Sequence, residues 1–353
     1  MHPFIEIGNR RVGPGYPVYL VAEMSANHAQ DFDRAVQIVR AAKEAGADAI
    51  KLQTYTPDTI TIDSDKEYFR IKGTLWDGAK LYELYKKAYT PWEWHPRLKE
   101  VAHEVGLDFF STPFDETAVD FLEGLEVPVY KVASFENVDL PLIQKIARKG
   151  KPIILSTGMA TLAEIDEAVS TVRSAQGSQM ALLKCTSAYP APAEEMNLRT
   201  IPHMAQAFGM PIGLSDHSEG FAVPIAAVSL GATIIEKHFT LSRATPGPDS
   251  TFSLEPQEFK TMAESIRIAE RALGTVRYGV NDHEARSRVF RRSLFVVKNV
   301  RAGEQFTPEN IRSIRPSDGL HTRYVREVVG RTATRDIEEG TPLTWDLVGG
   351  ERE

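Results

Sequence analysis

Eight short apolar runs, each ending in polar residues, recur along the first 240 positions. They are VYLVAEM (18–24), AIKLQTY (49–55), DFFSTPF (108–114), VYKVAS (129–134), PIILSTG (152–158), ALLKCTS (181–187), PIGLSDHS (211–218) and TIIEKHFT (233–240). Their length and their β-branched and aromatic content read as buried strands. Between most of them the apolar period lengthens to that of a helix. In DRAVQIVRAAKEAG, Ala35, Ile38, Val39 and Ala42 share a face and Gly46 supplies the stop signal. HPRLKEVAHEVG, ETAVDFLEG, PLIQKIARKG, LAEIDEAVSTVRSA and VPIAAVSLG repeat that pattern.

Strands alternating with helices predict a parallel sheet covered by helices. Eight such units between residues 18 and 240 fit a closed (β/α)8 TIM barrel better than an open doubly wound sheet. The absence of a glycine-rich dinucleotide fingerprint after the first run points the same way. Residues 54–95 interrupt the rhythm and are too long for a plain strand-to-helix connection, which suggests a lid or binding loop. Trp76, Trp92 and Trp94 either wall a pocket there or pack on the barrel rim. After Glu270 the chain turns polar and basic through GTVRYGVNDHEARSRVFRRS, an exposed linker or arm. RSLFVVKNVRAGEQFTPENI and VGRTATRDIEEGTPLTWDLV then share an apolar strand, a glycine-acidic turn and a threonine-led helical start, which predicts a small pseudo-symmetric β-rich module. The expected division is a barrel over 1–275, a linker over 276–292 and the module over 293–353.

Composition narrows the function. A net charge of −7 with 25% charged residues lacks the basic footprint of a nucleic-acid binder. The single cysteine, Cys185, excludes an intrachain disulfide framework and fits a reducing cytoplasm. It sits inside a strand and reads as a small buried hydrophobe rather than a nucleophile. The N-terminal residues do not resemble a signal peptide, and no apolar run approaches a membrane span, so a cytoplasmic enzyme without membrane contact is expected.

In a barrel, catalytic groups project from the C-terminal strand ends. Here those ends carry Glu23 with Asn27 and His28, Lys51 and Gln53, Ser111 and Thr112, Lys131 with Ser134 and Glu136, and Ser156 and Thr157. The later ends carry Lys184, Thr186, Ser187 and Tyr189, then Ser215, Asp216 and His217, then Glu236, Lys237 and His238. Strand alternation puts Lys51 with Gln53, Ser215 with His217, and Glu236 with His238 on common faces. His217 and His238 come from neighbouring strands and can approach one metal with positions left open; the alternative is one hydrogen-bonding and one core histidine. Lys51 and Lys131, with Thr112, Ser134, Ser156 and Ser215, suit a small phosphate- and carboxylate-bearing dianion. A Schiff-base lysine is the competing chemistry. His95 and His103 lie in a helical stretch as surface or packing residues.

AEMSANH, KLQTY, FFSTPFD, KVASFE, LSTGMAT, CTSAYP, IGLSDHS and EKHFTL resemble the sialic acid synthase family along the whole barrel. The tail from Ser293 to Leu347 resembles that family's C-terminal antifreeze-like (SAF) β-clip domain. KGTLWDGAKLYELYKKAYTPWEWH and GPDSTFSLEP carry the character of its pseudaminic acid synthase subgroup. Ser250 replaces the histidine that sialic acid synthases typically have after Asp249, and CTS replaces their CTN, putting Ser187 at a phosphate-contacting position.

The resemblance implies that Lys51, Thr112, Lys131, Ser134, Ser156 and Ser215 bind phosphoenolpyruvate and that His217 and His238 hold Mn2+ or Mg2+. Glu23, Gln53, Tyr189, Glu236 and Asp249 would surround the acetamido-trideoxy sugar and the reacting centre, and Glu136 is expected among the substrate-binding residues. Arg315, in IRPSDGL, would reach a neighbouring subunit's site, making a domain-swapped homodimer. The implied reaction condenses phosphoenolpyruvate with 2,4-diacetamido-2,4,6-trideoxy-L-altrose, with carbon–oxygen cleavage releasing phosphate. N-acetylneuraminic and legionaminic acid synthesis, a Schiff-base aldolase and a non-catalytic sugar-binding protein are the alternatives.

Overall fold

A computed structural model describes residues 4–73, 76–175 and 179–350. In it the eight apolar runs form one closed barrel of parallel strands. A hairpin of β1 (Ile5–Ile7) and β2 (Arg10–Val12) comes first. The barrel follows as β3 (Tyr19–Glu23), β4 (Ala49–Thr54), β5 (Asp108–Pro113), β6 (Tyr130–Val132), β7 (Ile153–Ser156), β8 (Met180–Cys185), β9 (Ile212–Asp216) and β10 (Ile234–His238). Strands pair in chain order, and β10 closes on β3 with Ile234 opposite Tyr19 and His238 opposite Glu23.

The helix Phe32–Glu44 shows how locally the connections are specified. The Asp31 carboxylate accepts from the N–H groups of Asp33 and Arg34, satisfying donors that the first turn leaves open. Ala35, Ile38, Val39 and Ala42 are buried, and Gly46 takes a φ of 90°, as its stop role requires. One helix, Thr200–Phe208, stands where the sequence showed no clear period. Its buried Ile201, Met204 and Phe208 keep helical spacing, but Pro202 and the loop before it blur the pattern. In sheet position β9, Gly213 is dictated by space: a Cβ there would lie 2.5 Å from the Ile234 carbonyl oxygen and 2.6 Å from Leu183 Cδ2.

The end of the barrel where the strands begin is closed by the β1–β2 hairpin. Ile5, Ile7 and Val12 join the barrel core, while Arg10 bridges Asp48 and Asp108 at the starts of β4 and β5. Residues 54–95 contain the helices Pro57–Ile60 and Leu81–Ala88 rather than a bare loop. The three tryptophans divide. Trp92 stacks on Phe121 at 4.7 Å and Trp94 packs edge-on to His28 and Phe32, so both serve the rim. Trp76 lines a surface pocket with Pro248, to whose carbonyl it donates, and its ring lies 5.8 Å from that of Tyr189.

The chain separates into two compact units, Met1–Gly274 and Thr275–Glu353. Within the second, the stretch read as a linker or arm holds two short exposed helical turns, Asp282–Ala285 and Arg286–Phe290. Beyond it β11 (Ser293–Val296) pairs with β12 (Ile311–Ile314), and β13 (Thr332–Ala333) with β14 (Val348–Gly349). The expected pseudo-symmetry is written in the hydrogen bonds. Gly303 donates to the Ala333 carbonyl and Gly340 to that of Val296, while Val300 and Ile337 exchange bonds with each other. Likewise Phe306 donates to Arg331 and Leu343 to Leu294. Each pair is the other displaced by 37 residues in the chain. The matched side chains Val300 and Ile337, and Phe306 and Leu343, fill the module's own core.

Candidate active site

Strand alternation sorts the polar strand ends into two sets. Lys51, Gln53, Thr112, Lys131, Ser134, Ser156, Tyr189, Ser215, His217, Glu236 and His238 line one cavity of about 50 Å³ at the C-terminal mouth of the barrel. The intervening positions turn outward. Lys237 and Asp216 form a fully buried ion pair at 2.6 Å. Thr54 Oγ1 lies 2.9 Å from His95 Nε2 and 2.6 Å from Ser111 Oγ, so Ser111 serves packing. His95 is buried as a packing residue, whereas His103 is exposed. Asn27 and His28 also miss the cavity: Asn27 donates to the Phe239 carbonyl and Ser253, and His28 meets Thr90 at 3.1 Å. Thr157 donates to the Leu183 carbonyl, and Lys184 is spent on Cys185 and Thr186.

Two lysines and two carboxylates interlock at the centre. Lys51 contacts Glu23, lies 3.5 Å from Glu236 and donates to Thr112. Lys131 lies 3.9 Å from Glu236 and donates to Ser156 at 2.6 Å. Ser215 donates to Glu236 at 3.2 Å. Burial would lower the Lys51 pKa, but the Glu23 and Glu236 carboxylates outweigh it and raise it. Lys131 is pulled down by burial. The carboxylates diverge. Glu23 is pushed up by burial, which Lys51 only partly opposes, while the Lys131 and Lys51 cations overcome burial at Glu236 and hold it down. Such divergence within one site equips neighbouring groups for opposite proton tasks.

Gly158, just past β7, makes room for the hydroxyls. A Cβ there would fall 2.2 Å from Ser187 Oγ and 2.7 Å from Ser134 Oγ, and the Gly158 N–H donates to Ser134 at 3.1 Å. Cys185 is buried beneath them, its Sγ 3.7 Å from Ser187 Oγ and 3.8 Å from His217 Nδ1. Glu136 stands on the turn after β6 with its Oε2 buried and unbonded, and burial raises its pKa to about 7.

The two histidines face each other with ring centroids 5.4 Å apart. His217 Nδ1 lies 3.0 Å from the Thr186 carbonyl, a partner that takes the Nδ1 proton and so leaves Nε2 the nitrogen that can carry a lone pair in the neutral ring. His238 Nδ1 is buried without a hydrogen-bond partner, and burial together with His217 keeps the ring well below the usual imidazole range. Burial would lower the His217 pKa, but Cys185 and the Thr186 carbonyl outweigh it and raise it, so a divalent cation would displace the proton of that ring. The orphaned His238 nitrogen and the His217 ring are donors that suit such an ion. Among the described residues no three His, Cys, Asp or Glu side chains converge on one point, so the remaining positions of such an ion would fall to water and substrate oxygen.

Asp249 lies on the loop after β10 and accepts from Ser25 and Ala26. Arg315 is exposed in the second unit. Phe114, Phe135, Phe252, Ser25 and Gly158 escaped the reading from sequence. Phe114 and Phe135 line the cavity, and Phe252 packs 5.0 Å from His238. Aromatics in loops carry no periodic signal, and a glycine required by space alone looks like any turn glycine.

Among the described residues no helix is long and apolar enough to cross a membrane. The chain is 47% identical to a pseudaminic acid synthase of Campylobacter jejuni, over 92% of this chain and 95% of that one. It is also 47% identical to a pseudaminic acid synthase of Helicobacter pylori, over 94% and 97%. The crystal structure of the spore coat polysaccharide biosynthesis protein SpsE of Bacillus subtilis superposes with a TM-score of 0.67 at 35% identity, covering 99% of both chains. The NeuB family model matches residues 38–278 and the SAF domain model residues 291–349. With a closed barrel, this strand-end constellation and those matches together, the chain belongs to the NeuB family and carries a C-terminal SAF domain.

Proposed function

We propose that the chain condenses phosphoenolpyruvate with the open-chain aldehyde of 2,4-diacetamido-2,4,6-trideoxy-L-altrose, yielding pseudaminic acid and inorganic phosphate. One observation carries the reading: two buried lysines, two buried carboxylates and a set of hydroxyls converge beside a histidine pair in a single barrel mouth. The relatives named pseudaminic acid synthase direct the choice of sugar.

Lys51 and Lys131 would meet the carboxylate and phosphate of the donor, with Thr112, Ser134, Ser156, Ser187 and Ser215 donating hydrogen bonds. Cations fixed in a water-poor cavity stabilise anionic charge without reorganising. Carbon three of the donor attacks the aldehyde carbon. Water then adds at carbon two, and collapse breaks the carbon–oxygen bond and expels phosphate. Glu23, raised toward the protonated form, is suited to give a proton to the new alkoxide, and Glu236 to take one from water. Gln53, Glu136, Tyr189 and Asp249 would orient the sugar. His217 and His238 would hold Mn2+ or Mg2+, which when bound polarises the aldehyde oxygen. Arg315 would complete the site of a second copy in a domain-swapped homodimer.

Phosphate release is to be measured with phosphoenolpyruvate and, in parallel, the altro-, manno- and gluco-configured acetamido sugars, before and after chelation. The altro sugar should be consumed fastest, and chelation should abolish turnover until Mn2+ or Mg2+ is restored. Faster turnover of either other sugar overturns the substrate, and full activity after exhaustive chelation overturns the metal. Bridging-oxygen label retained in the sugar acid would refute carbon–oxygen cleavage.

A further inference from the structure

Ser25 is a non-glycine residue in the left-handed region, with a φ of 43°, and it is buried at the end of β3. The preceding Met24 is right-handed, with φ −72° and ψ −43°. Successive N–H groups across a right-to-left reversal fan toward a common concavity and bind anions. Here two carboxylates share that turn. The Ser25 N–H donates to Glu23 Oε1 at 2.8 Å, and the Ala26 N–H donates to Asp249 Oδ2 at 3.3 Å. The Ser25 hydroxyl then donates to the same Asp249 oxygen at 2.5 Å.

A glycine would adopt this turn without strain, so the backbone alone does not call for a serine. The hydroxyl does. Asp249 receives both of its hydrogen bonds on Oδ2, leaving Oδ1 with none among the described residues. Its loop is further tied by Ser253, which donates to the Asp249 carbonyl and accepts from Asn27. On the other side, Glu23 is held by Ser25 and by Lys51. One turn therefore joins the carboxylate beside the buried lysine to the carboxylate of the loop after β10.

We propose that Ser25 is a positioning residue for the sugar acceptor: its hydroxyl fixes the Asp249 carboxylate so that Oδ1 meets a hydroxyl or amide of the acetamido sugar in register with Glu23. This rests on the reading of the site as a phosphoenolpyruvate–sugar condensing centre. It adds to that reading a residue that touches neither substrate.

The test compares S25A, S25G, D249N and S25A/D249N in the full-length protein, using whichever of the three acetamido sugars the unmodified enzyme consumes. Preference for the manno or gluco sugar would overturn the substrate assignment while leaving the Ser25 comparison intact. S25A and S25G should both raise the KM for the sugar roughly tenfold or more, the scale of one hydrogen bond to a buried charge. The KM for phosphoenolpyruvate should stay within about twofold, because the donor's lysines are untouched. The double variant should be no worse than D249N alone, since the serine acts through the aspartate. A merely structural role predicts instead that S25G, free of strain, behaves as wild type. S25G with an unchanged sugar KM, or additive losses in the double variant, would overturn the proposal. Melting temperatures supply a readout independent of turnover: the losses from S25A and D249N should fail to add, and additive losses would count against the coupling even if no sugar is consumed.

Discussion

At the scale of single residues, the site is shaped as much by a missing side chain as by those present. The Ser134 and Ser187 hydroxyls can both lie against position 158 only because it has no Cβ. G158A should therefore displace both hydroxyls, raising the KM for phosphoenolpyruvate at least tenfold with little change in the far-ultraviolet circular dichroism spectrum. Steady-state kinetics with phosphoenolpyruvate varied checks this, and an unchanged KM would remove the two serines from the donor site. The buried histidines outside the cavity make a second prediction. Burial lowers His28 and His95 to about 4, below the ordinary value of 6.5. The unfolded chain thus binds protons first as pH falls, so their neutral forms contribute fully above about pH 6.5 and stability is lost toward pH 4. Each can cost up to roughly 3 kcal/mol across that window. Urea midpoints should fall from pH 7 to pH 5, and H95Q should fall less steeply; parallel slopes would discount His95.

At the scale of elements, the barrel depends on close approach between neighbouring strands. Gly213 in β9 faces the Ile234 backbone of β10 and the Leu183 side chain of β8. A methyl group cannot be absorbed against a strand carbonyl in the way it can against a flexible side chain. G213A should cost about 2 kcal/mol or more through forced separation of the strands, measured as a lowered urea midpoint. A variant as stable as wild type would mean that β9 and β10 part easily. Register also explains the chemistry. Because side chains alternate along a strand, Asp216 and Lys237 pair outside the barrel while Ser215 and Glu236, one position earlier on each strand, meet inside.

At the scale of the whole molecule, the chain has two separate cores, and the proposed site draws its residues from Met1–Gly274 except for Arg315. The proposed assembly makes a sharp prediction. R315A and K131M should each be nearly inactive alone. Mixed after dissociation and reassembly, they should regain up to about a quarter of wild-type activity, since random pairing restores one intact site in half of the dimers. No recovery, together with a monomer by light scattering, would sink the exchange.

The barrel was readable along the chain, because eight buried strands and their helices follow periodic patterns that neighbouring residues enforce locally. Lysines, carboxylates and histidines at strand ends were legible for the same reason: alternation places every second side chain on the inner face. The pseudo-symmetric module was legible because its repeat lies in the linear order itself. The remaining features involve residues remote in sequence. The pairing of both lysines with Glu236, the left-handed turn that ties Glu23 to Asp249, and the space at Gly158 all join different strands and loops. The opposite displacement of the Glu23 and Glu236 pKa values belongs here too, since burial and neighbouring charge exist only once the barrel has closed. Such contacts leave no period in the chain, for their distances are set by barrel closure rather than by adjacent residues.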